Sequence, residues 1–350
     1  MSLRIEMKKT ICFDDVLLTP QYSEIMSRKE IQTTSPIANS VFDIPVVSSP
    51  MDTVTGHRMA TAMSNLGGLG IIHRYNTVKE QAKAIHTAHA AGATNIGAAV
   101  GVSGDYLDRA RAAIMAGSRF ICVDIAHGHH ILMKNALKNL RSLCDESVTI
   151  IAGNVATLEG FNDLSDWGAH AVRVGIGGGS ICSTRIQTGH GMPTLQSIME
   201  CSKSDRDTVL IADGGIKNSG DVTKAIAAGA DFVMLGSLLS GTDETPGDIM
   251  EMPEIVGGQQ VYCKYKTYRG MASVEAQIDW RGHTSSVEGV SSVVKYKGPV
   301  SVSVDEIMRG LKSGMSYSGA KTISEFQAKS RFVGQTQGAQ LESSTHINRV

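Results

Sequence analysis

Apolar residues in this chain fall in short unbroken runs, and few of those runs alternate with polar residues. Eight runs stand out: 44–49, 68–73, 95–101, 120–125, 149–154, 171–176, 209–214 and 232–237. Each is about six residues long and rich in Val and Ile. Such runs suit strands buried on both faces of a parallel sheet. Between them, residues 78–91, 105–116, 131–143 and 220–228 carry helical spacing, the last behind an N-cap at Asn218 or Ser219. Eight strand–helix units predict an α/β fold, a closed (β/α)8 TIM barrel. The alternative, an open doubly wound sheet, usually has fewer strands.

Two interruptions depart from this rhythm. Extra chain follows the sixth run, and residues 241–298 hold no ninth unit. In a barrel the loops after strands lie on the catalytic face. The expectation is therefore a single catalytic domain over 1–350, with a mobile loop over 177–195 and a lid over 266–298. Helical spacing resumes over 303–313, and 334–350 reads as a polar, mobile tail.

Composition narrows the class. The chain has 350 residues and a net charge of −1, which argues against binding nucleic acid through a broad basic patch. No run of 18 apolar residues suggests a membrane span. The first ten residues lack the apolar stretch of a signal peptide, and the six cysteines stand singly, so reduced thiols in the cytoplasm are expected. Thirty-seven glycines are more than a tenth of the chain and suggest tight turns around a ligand.

The richest loop follows the sixth run, from Gly175 through Gly177, Gly178, Gly179, Ser180 and Cys182 to Thr184 and Arg185. Its glycines let backbone amides approach a phosphate, and Ser180 adds a hydroxyl. As a GxGxxG dinucleotide motif it is weak, because Ser180 replaces the third glycine and the loop comes too late in the chain. Cys182 is a candidate nucleophile, activated by amide dipoles or by Arg185; the alternative is a bystander thiol. Asp213 to Gly215 end the seventh run, and Gly236 and Ser237 end the eighth, where barrels often bind phosphate. Plain turn chemistry is the alternative. Asp124 and Asn154 end the fourth and fifth runs, as a ribose ligand or as helix caps. His127, His129 and His130 lack an evident acidic or thiol partner, so a metal role is the weaker reading.

The cysteine loop resembles that of the IMP dehydrogenase/GMP reductase family. So do Phe13–Leu18, Ser48–Val54, Gly68–His73, Asp124–Gly128, Ala152–Val155, Ala212–Ile216 and Tyr268–Met271. The resemblance implies a (β/α)8 oxidoreductase acting on a purine nucleoside monophosphate (IMP, XMP or GMP), usually as a homotetramer. It implies that Cys182 attacks C2 of the purine and that Thr184 and Glu288 relay protons. Ser180, Gly215, Gly236, Ser237 and Tyr268 would hold phosphate, Asp213 the ribose, and Ser49, Met51, Gly270, Met271 and Glu288 the nucleotide. Asp124, Asn154 and Gly175 lie where NAD or NADPH binds. Backbone carbonyls of Gly177, Gly179 and Cys182, with Glu342 and Ser343 of a neighbouring subunit, match a potassium site.

The two family activities divide the features. Residues 264–271, 241–247 and 341–343 with His346 look like the dehydrogenase. Thr188–Gly189 looks like the reductase, as do a short lid without the usual Arg-Tyr pair and the missing CBS insert between strands two and three. Arg281 is the single arginine between Met271 and Glu288 that could replace the water-activating base, although its high pKa disfavours the role. The motif count favours IMP dehydrogenase with NAD+. The alternatives are GMP reductase with NADPH and a purine-nucleotide-binding protein without catalysis. A Schiff-base lyase is disfavoured, since no strand ends in lysine.

Overall fold

The structure, a computed structural model, describes residues 9–343. The eight runs form the parallel strands β1 (Val46–Ser48), β2 (Leu69–Ile72), β3 (Ile96–Val100), β4 (Phe120–Asp124), β5 (Thr149–Val155), β6 (Ala171–Val174), β7 (Val209–Asp213) and β8 (Phe232–Leu235). They pair in sequence order, and β8 closes on β1, so the barrel is complete. Helices α1 (His57–Asn65), α2 (Val78–Ala90), α3 (Tyr106–Met115), α4 (Ile131–Leu143), α5 (Leu158–Asp166), α6 (Thr194–Cys201), α7 (Ser219–Ala227) and α8 (Val300–Tyr317) follow the strands in turn. Asn218 caps α7 by accepting the Asp221 N–H.

The period-two geometry of a strand explains why these runs need no polar alternation. In β4, Phe120 and Cys122 join the inner core while Ile121 and Val123 pack against the helices. The next inward position is Asp124, at the mouth. The same parity brings Arg173 on β6 and Asp213 on β7 to that layer. At β5 a register irregularity between Gly153 and Val155 accompanies the change of face that brings Asn154 to the mouth.

Two parts depart from the sequence reading. A hairpin of Ser35–Ile37 and Ser40–Phe42 enters the inner core, with Phe42 5.6 Å from Phe120 and edge-on to Phe232 at 5.4 Å. Residues 241–298 hold no ninth strand–helix unit, but the excursion after β8 is an antiparallel sheet. Its strands are β9 (Met250–Val256), β10 (Gln259–Arg269) and β11 (Ser291–Lys295). Lys266 is buried and donates to the Thr242 and Thr245 carbonyls, while Lys297 reaches the Ser237 and Leu238 carbonyls. A helix over Val274–Arg281 lies between β10 and β11.

The segment read as a tail begins with ordered structure. Phe332–Gly334 pairs with Val16–Leu18, and a helix covers Gln337–Glu342. His346 and the rest of 344–350 lie outside the described residues. Among the described residues no helix is long and apolar enough to cross a membrane.

Candidate active site

The barrel mouth opens into a cavity of about 430 Å³. Of the residues singled out from sequence, Cys182, Thr184 and Glu288 line it. So do Ser49, Met51, Ser180, Asp213, Gly215, Gly236, Ser237, Tyr268, Gly270 and Met271, together with Asp124, Asn154, Gly175, Gly177 and Gly179. Arg281, Glu342 and Ser343 do not.

The reactive end is a chain of three side chains. Cys182 Sγ lies 3.2 Å from Thr184 Oγ1, which donates to Glu288 Oε2 at 2.7 Å. Two segments far apart in sequence are zipped together to place them. Ser183 N–H donates to the Glu288 carbonyl (2.8 Å) and Val290 N–H to the Ile181 carbonyl (3.0 Å). A thiol, a hydroxyl and a carboxylate in line form a path along which a proton can enter or leave the space above sulfur.

Another wall of the cavity gathers hydroxyls and glycines. Tyr268 is buried, which pushes its phenol pKa up, and its hydroxyl sits 3.4 Å from Ser180 Oγ. Glycine suits position 236, because a Cβ there would stand 3.1 Å from both Tyr268 OH and Met51 Sδ. Gly214 and Gly215 have φ of +91° and +77°, a conformation glycine adopts freely.

Between these walls lies a charge network that the sequence reading missed. Arg173 Nη1 donates to Asp124 Oδ1 at 2.6 Å, and its Nη2 donates to Asp213 Oδ2 at 2.9 Å. Asn154 Nδ2 donates to Asp213 Oδ2 and to the Gly175 carbonyl, both at 2.8 Å. Arg74 Nη2 donates to the Asp124 carbonyl. Burial pushes the Asp124 carboxyl pKa up, but Arg173 and Arg74 outweigh it and hold the carboxyl below its ordinary range. The signal was present: a lone arginine inside the apolar run 171–176 has to be paired.

Two arginines are corrected. Arg185 was offered as an activator of the thiol, but it is exposed and donates to the Met192 carbonyl at 2.7 Å. Arg281 was offered as a base, but its guanidinium binds Gln277 Oε1 and Ser285 Oγ and lies over the Trp280 ring. His129 has an acidic partner after all, Asp163 at 2.8 Å, and His130 caps α4. Among the described residues no group of three or more His, Cys, Asp or Glu could hold a metal ion. In the implied potassium set, the Gly179 carbonyl accepts the Cys182 N–H, and Ser343 Oγ is bonded to Gln335 and the Ala339 carbonyl.

With this geometry in hand, comparison with known proteins is decisive for the family. The IMP dehydrogenase / GMP reductase domain matches residues 10–346. The chain belongs to this family. It is 32% identical to an inosine-5'-monophosphate dehydrogenase of Nitrosopumilus maritimus, over 98% of this chain and 99% of that one. The Cryptosporidium parvum inosine-5'-monophosphate dehydrogenase is 35% identical, over 97% and 95%. A GMP reductase of Leishmania major is 29% identical, over 96% of each. Among solved structures, a cysteine-to-alanine variant of the GMP reductase of Trypanosoma brucei, in complex with guanosine 5'-monophosphate, has a TM-score of 0.89 at 32% identity. That match covers 98% of this chain and 99% of that one. The chain is thus an oxidoreductase of purine nucleoside monophosphates with a TIM-barrel fold.

Proposed function

We propose that this member of the family is a GMP reductase that works through a covalent bond between Cys182 and C2 of the purine. The observation that carries the covalent step is the Cys182–Thr184–Glu288 chain, at 3.2 and 2.7 Å. Thiol addition breaks the S–H bond, whose proton passes through Thr184 Oγ1 to Glu288, forms the C2–S bond and moves an electron pair onto ring nitrogen. Collapse breaks the bond to the exocyclic amine, which needs a proton to leave as ammonia. Glu288 delivers that proton through Thr184 Oγ1. NADPH, when bound, supplies the hydride that reaches C2 as the C–S bond breaks, giving IMP. Asp213 holds the ribose, Ser180, Gly215, Gly236, Ser237 and Tyr268 hold the phosphate, and Asp124, Asn154 and Gly175 face the cofactor.

The second reading is IMP dehydrogenase with NAD+, favoured by the names of two of the four similar proteins given above and by a relay that equally accepts a proton from water. The lid favours the reductase, because residues 271–288 hold no Arg-Tyr pair and Arg281 lies outside the cavity lining, bonded to Gln277 and Ser285. The same proposal assigns a potassium ion to the carbonyls of Gly177, Gly179 and Cys182, completed by Glu342 and Ser343 of another copy in a homotetramer. Turnover in potassium against lithium buffer, with light scattering for mass, tests that part.

Absorbance at 340 nm tests the activity. With GMP and NADPH the expected result is a fall, slowed about 10²- to 10⁴-fold in Glu288→Gln. A rise with IMP and NAD+, and no fall with GMP, makes the protein a dehydrogenase. Binding of either nucleotide without turnover makes it a binding protein.

A further inference from the structure

Arg269 stands at the end of β10, just before the cavity-lining residues Gly270 and Met271. Its Nε and Nη2 donate to Asp52 Oδ2 at 2.9 and 2.5 Å, and its Nη1 donates to Asp279 Oδ2 at 2.5 Å. Its backbone N–H donates to Thr53 Oγ1 at 3.1 Å. Three segments meet on this one side chain: the loop after β1 that carries Ser49 and Met51, the end of β10, and the helix Val274–Arg281 of the lid.

The two carboxylates are unequal. The Asp52 side chain is 9% exposed and the Asp279 side chain 64%. Asp52 Oδ1 is buried with no hydrogen-bond partner among the described residues. The Asp52 arm is therefore a buried pair whose rupture leaves an uncompensated charge. The Asp279 arm is an exposed pair that solvent screens and that opens at little cost. One residue beyond Asp279, Trp280 stacks on Tyr75 at 4.2 Å and 14°, against the cavity wall formed by Arg74 and Tyr75.

Resting on the purine-nucleotide reading above, we infer that Arg269 is a positioning residue with two separable duties. Through Asp52 it fixes the two nucleotide-lining segments against each other. Through Asp279 it latches the lid helix, and with it the Trp280–Tyr75 stack, over the cavity. The first duty governs nucleotide affinity and the second governs turnover.

The test uses the full chain. Trp167 and Trp280 are its two tryptophans, so a Trp167→Phe background leaves Trp280 as the sole indole. In that background Asp279→Asn, Asp52→Asn, Arg269→Lys and Arg269→Gln are compared in three ways. These are calorimetric binding of IMP and GMP, kcat in the active direction, and acrylamide quenching of Trp280. Asp279→Asn is expected to increase quenching and lower kcat about fivefold, with nucleotide Kd unchanged. Asp52→Asn and Arg269→Gln are expected to weaken nucleotide binding about tenfold or more. Arg269→Lys reaches one carboxylate at a time, so it recovers affinity while Trp280 stays accessible.

The inference is overturned if Asp279→Asn weakens nucleotide binding as much as Arg269→Gln does. It is also overturned if the Arg269 variants alter neither Kd nor quenching. Should Arg269→Gln fail to fold by circular dichroism, Asp279→Asn and Arg269→Lys decide. If the unaltered chain binds neither IMP nor GMP, the purine reading fails. Quenching in those two variants then still decides the latch, and unchanged quenching overturns it.

Discussion

The floor and the roof of the cavity are held by different physics. The floor is the layer of strand ends, where the Arg173 side chain is 6% exposed and bridges Asp124 and Asp213, each under a fifth exposed. The roof comes from the excursion after β8. Its base is anchored by buried Lys266 and the Arg269–Asp52 pair, but its lid helix is held by a few backbone bonds, an exposed Asp279 and one aromatic stack. A buried, fully paired charge network gives a rigid scaffold that is costly to break. Contacts of the roof's kind each contribute little and come apart singly. The comparison teaches that the strand-end groups Asp124, Asn154 and Asp213 are held by one another and by Arg173. Glu288, carried by the roof, meets Thr184 where the Ser183 N–H binds the Glu288 carbonyl.

The largest test of this division removes the point where floor and roof meet. Cys182→Ala is expected to lower turnover by at least about 10⁴-fold while leaving the melting temperature in place, measured by steady-state rates and calorimetry. A variant that loses both would mean the loop is structural. Next is the floor itself. Arg173→Gln should cost about 3–5 kcal/mol in urea unfolding, because it strands Asp124 and Asp213 without a counter-charge. A loss under about 1 kcal/mol would show the floor to be no stiffer than the roof.

A third test sets a paired buried carboxyl against one without a cation. Asp231, at the start of β8 and the far end of the barrel, accepts the Leu210 N–H at 2.8 Å, and burial raises its pKa from 3.8 to about 6. Its folded-state pKa lies above the unfolded value. Its stabilising contribution is therefore fully present below pH 3.8 and lost as pH rises through about 6. Asp231→Asn keeps the acceptor and removes the charge. It is expected to stabilise the protein by about 3 kcal/mol at about pH 7.5 and by nothing at about pH 3.5, read from unfolding across that range. For Asp124 the sign is opposite, since Arg173 and Arg74 hold its pKa down, so acid weakens the floor. The smallest effect belongs to the roof. Tyr75→Ala should cost about 0.5–1.5 kcal/mol of lid closure, seen as greater Trp280 quenching in a Trp167→Phe background.

The same contrast explains what was legible in the sequence. The barrel could be read because both faces of its strands are buried, and the eight apolar runs say so directly. The site's glycines and acids follow from where those runs stop. The roof could not be read, because the sheet of β9 to β11 is half-solvated and mixes Lys, Glu and Gln with its apolar residues. Lys266 looks like a surface charge in sequence, yet it is buried on two carbonyls. Arg185 and Arg281 were drawn to the chemistry by their place in the chain, but side chains that long reach other partners. Arg173 was overlooked for the opposite reason, inside a run read as apolar throughout. The hairpin that packs on the strand starts at Phe120 and Phe232 was missed because its strands, Ser35–Ile37 and Ser40–Phe42, are too short to show a period.

The central claim is that Cys182 forms a bond to C2 with Thr184 and Glu288 supplying the proton that ammonia carries away. Intact-mass spectrometry of the protein incubated with GMP alone tests it most directly. The account predicts an adduct on Cys182 with the mass of GMP less ammonia, absent in Cys182→Ala and diminished in Glu288→Gln. Binding of GMP with no such adduct, in a protein that still turns over, would contradict it.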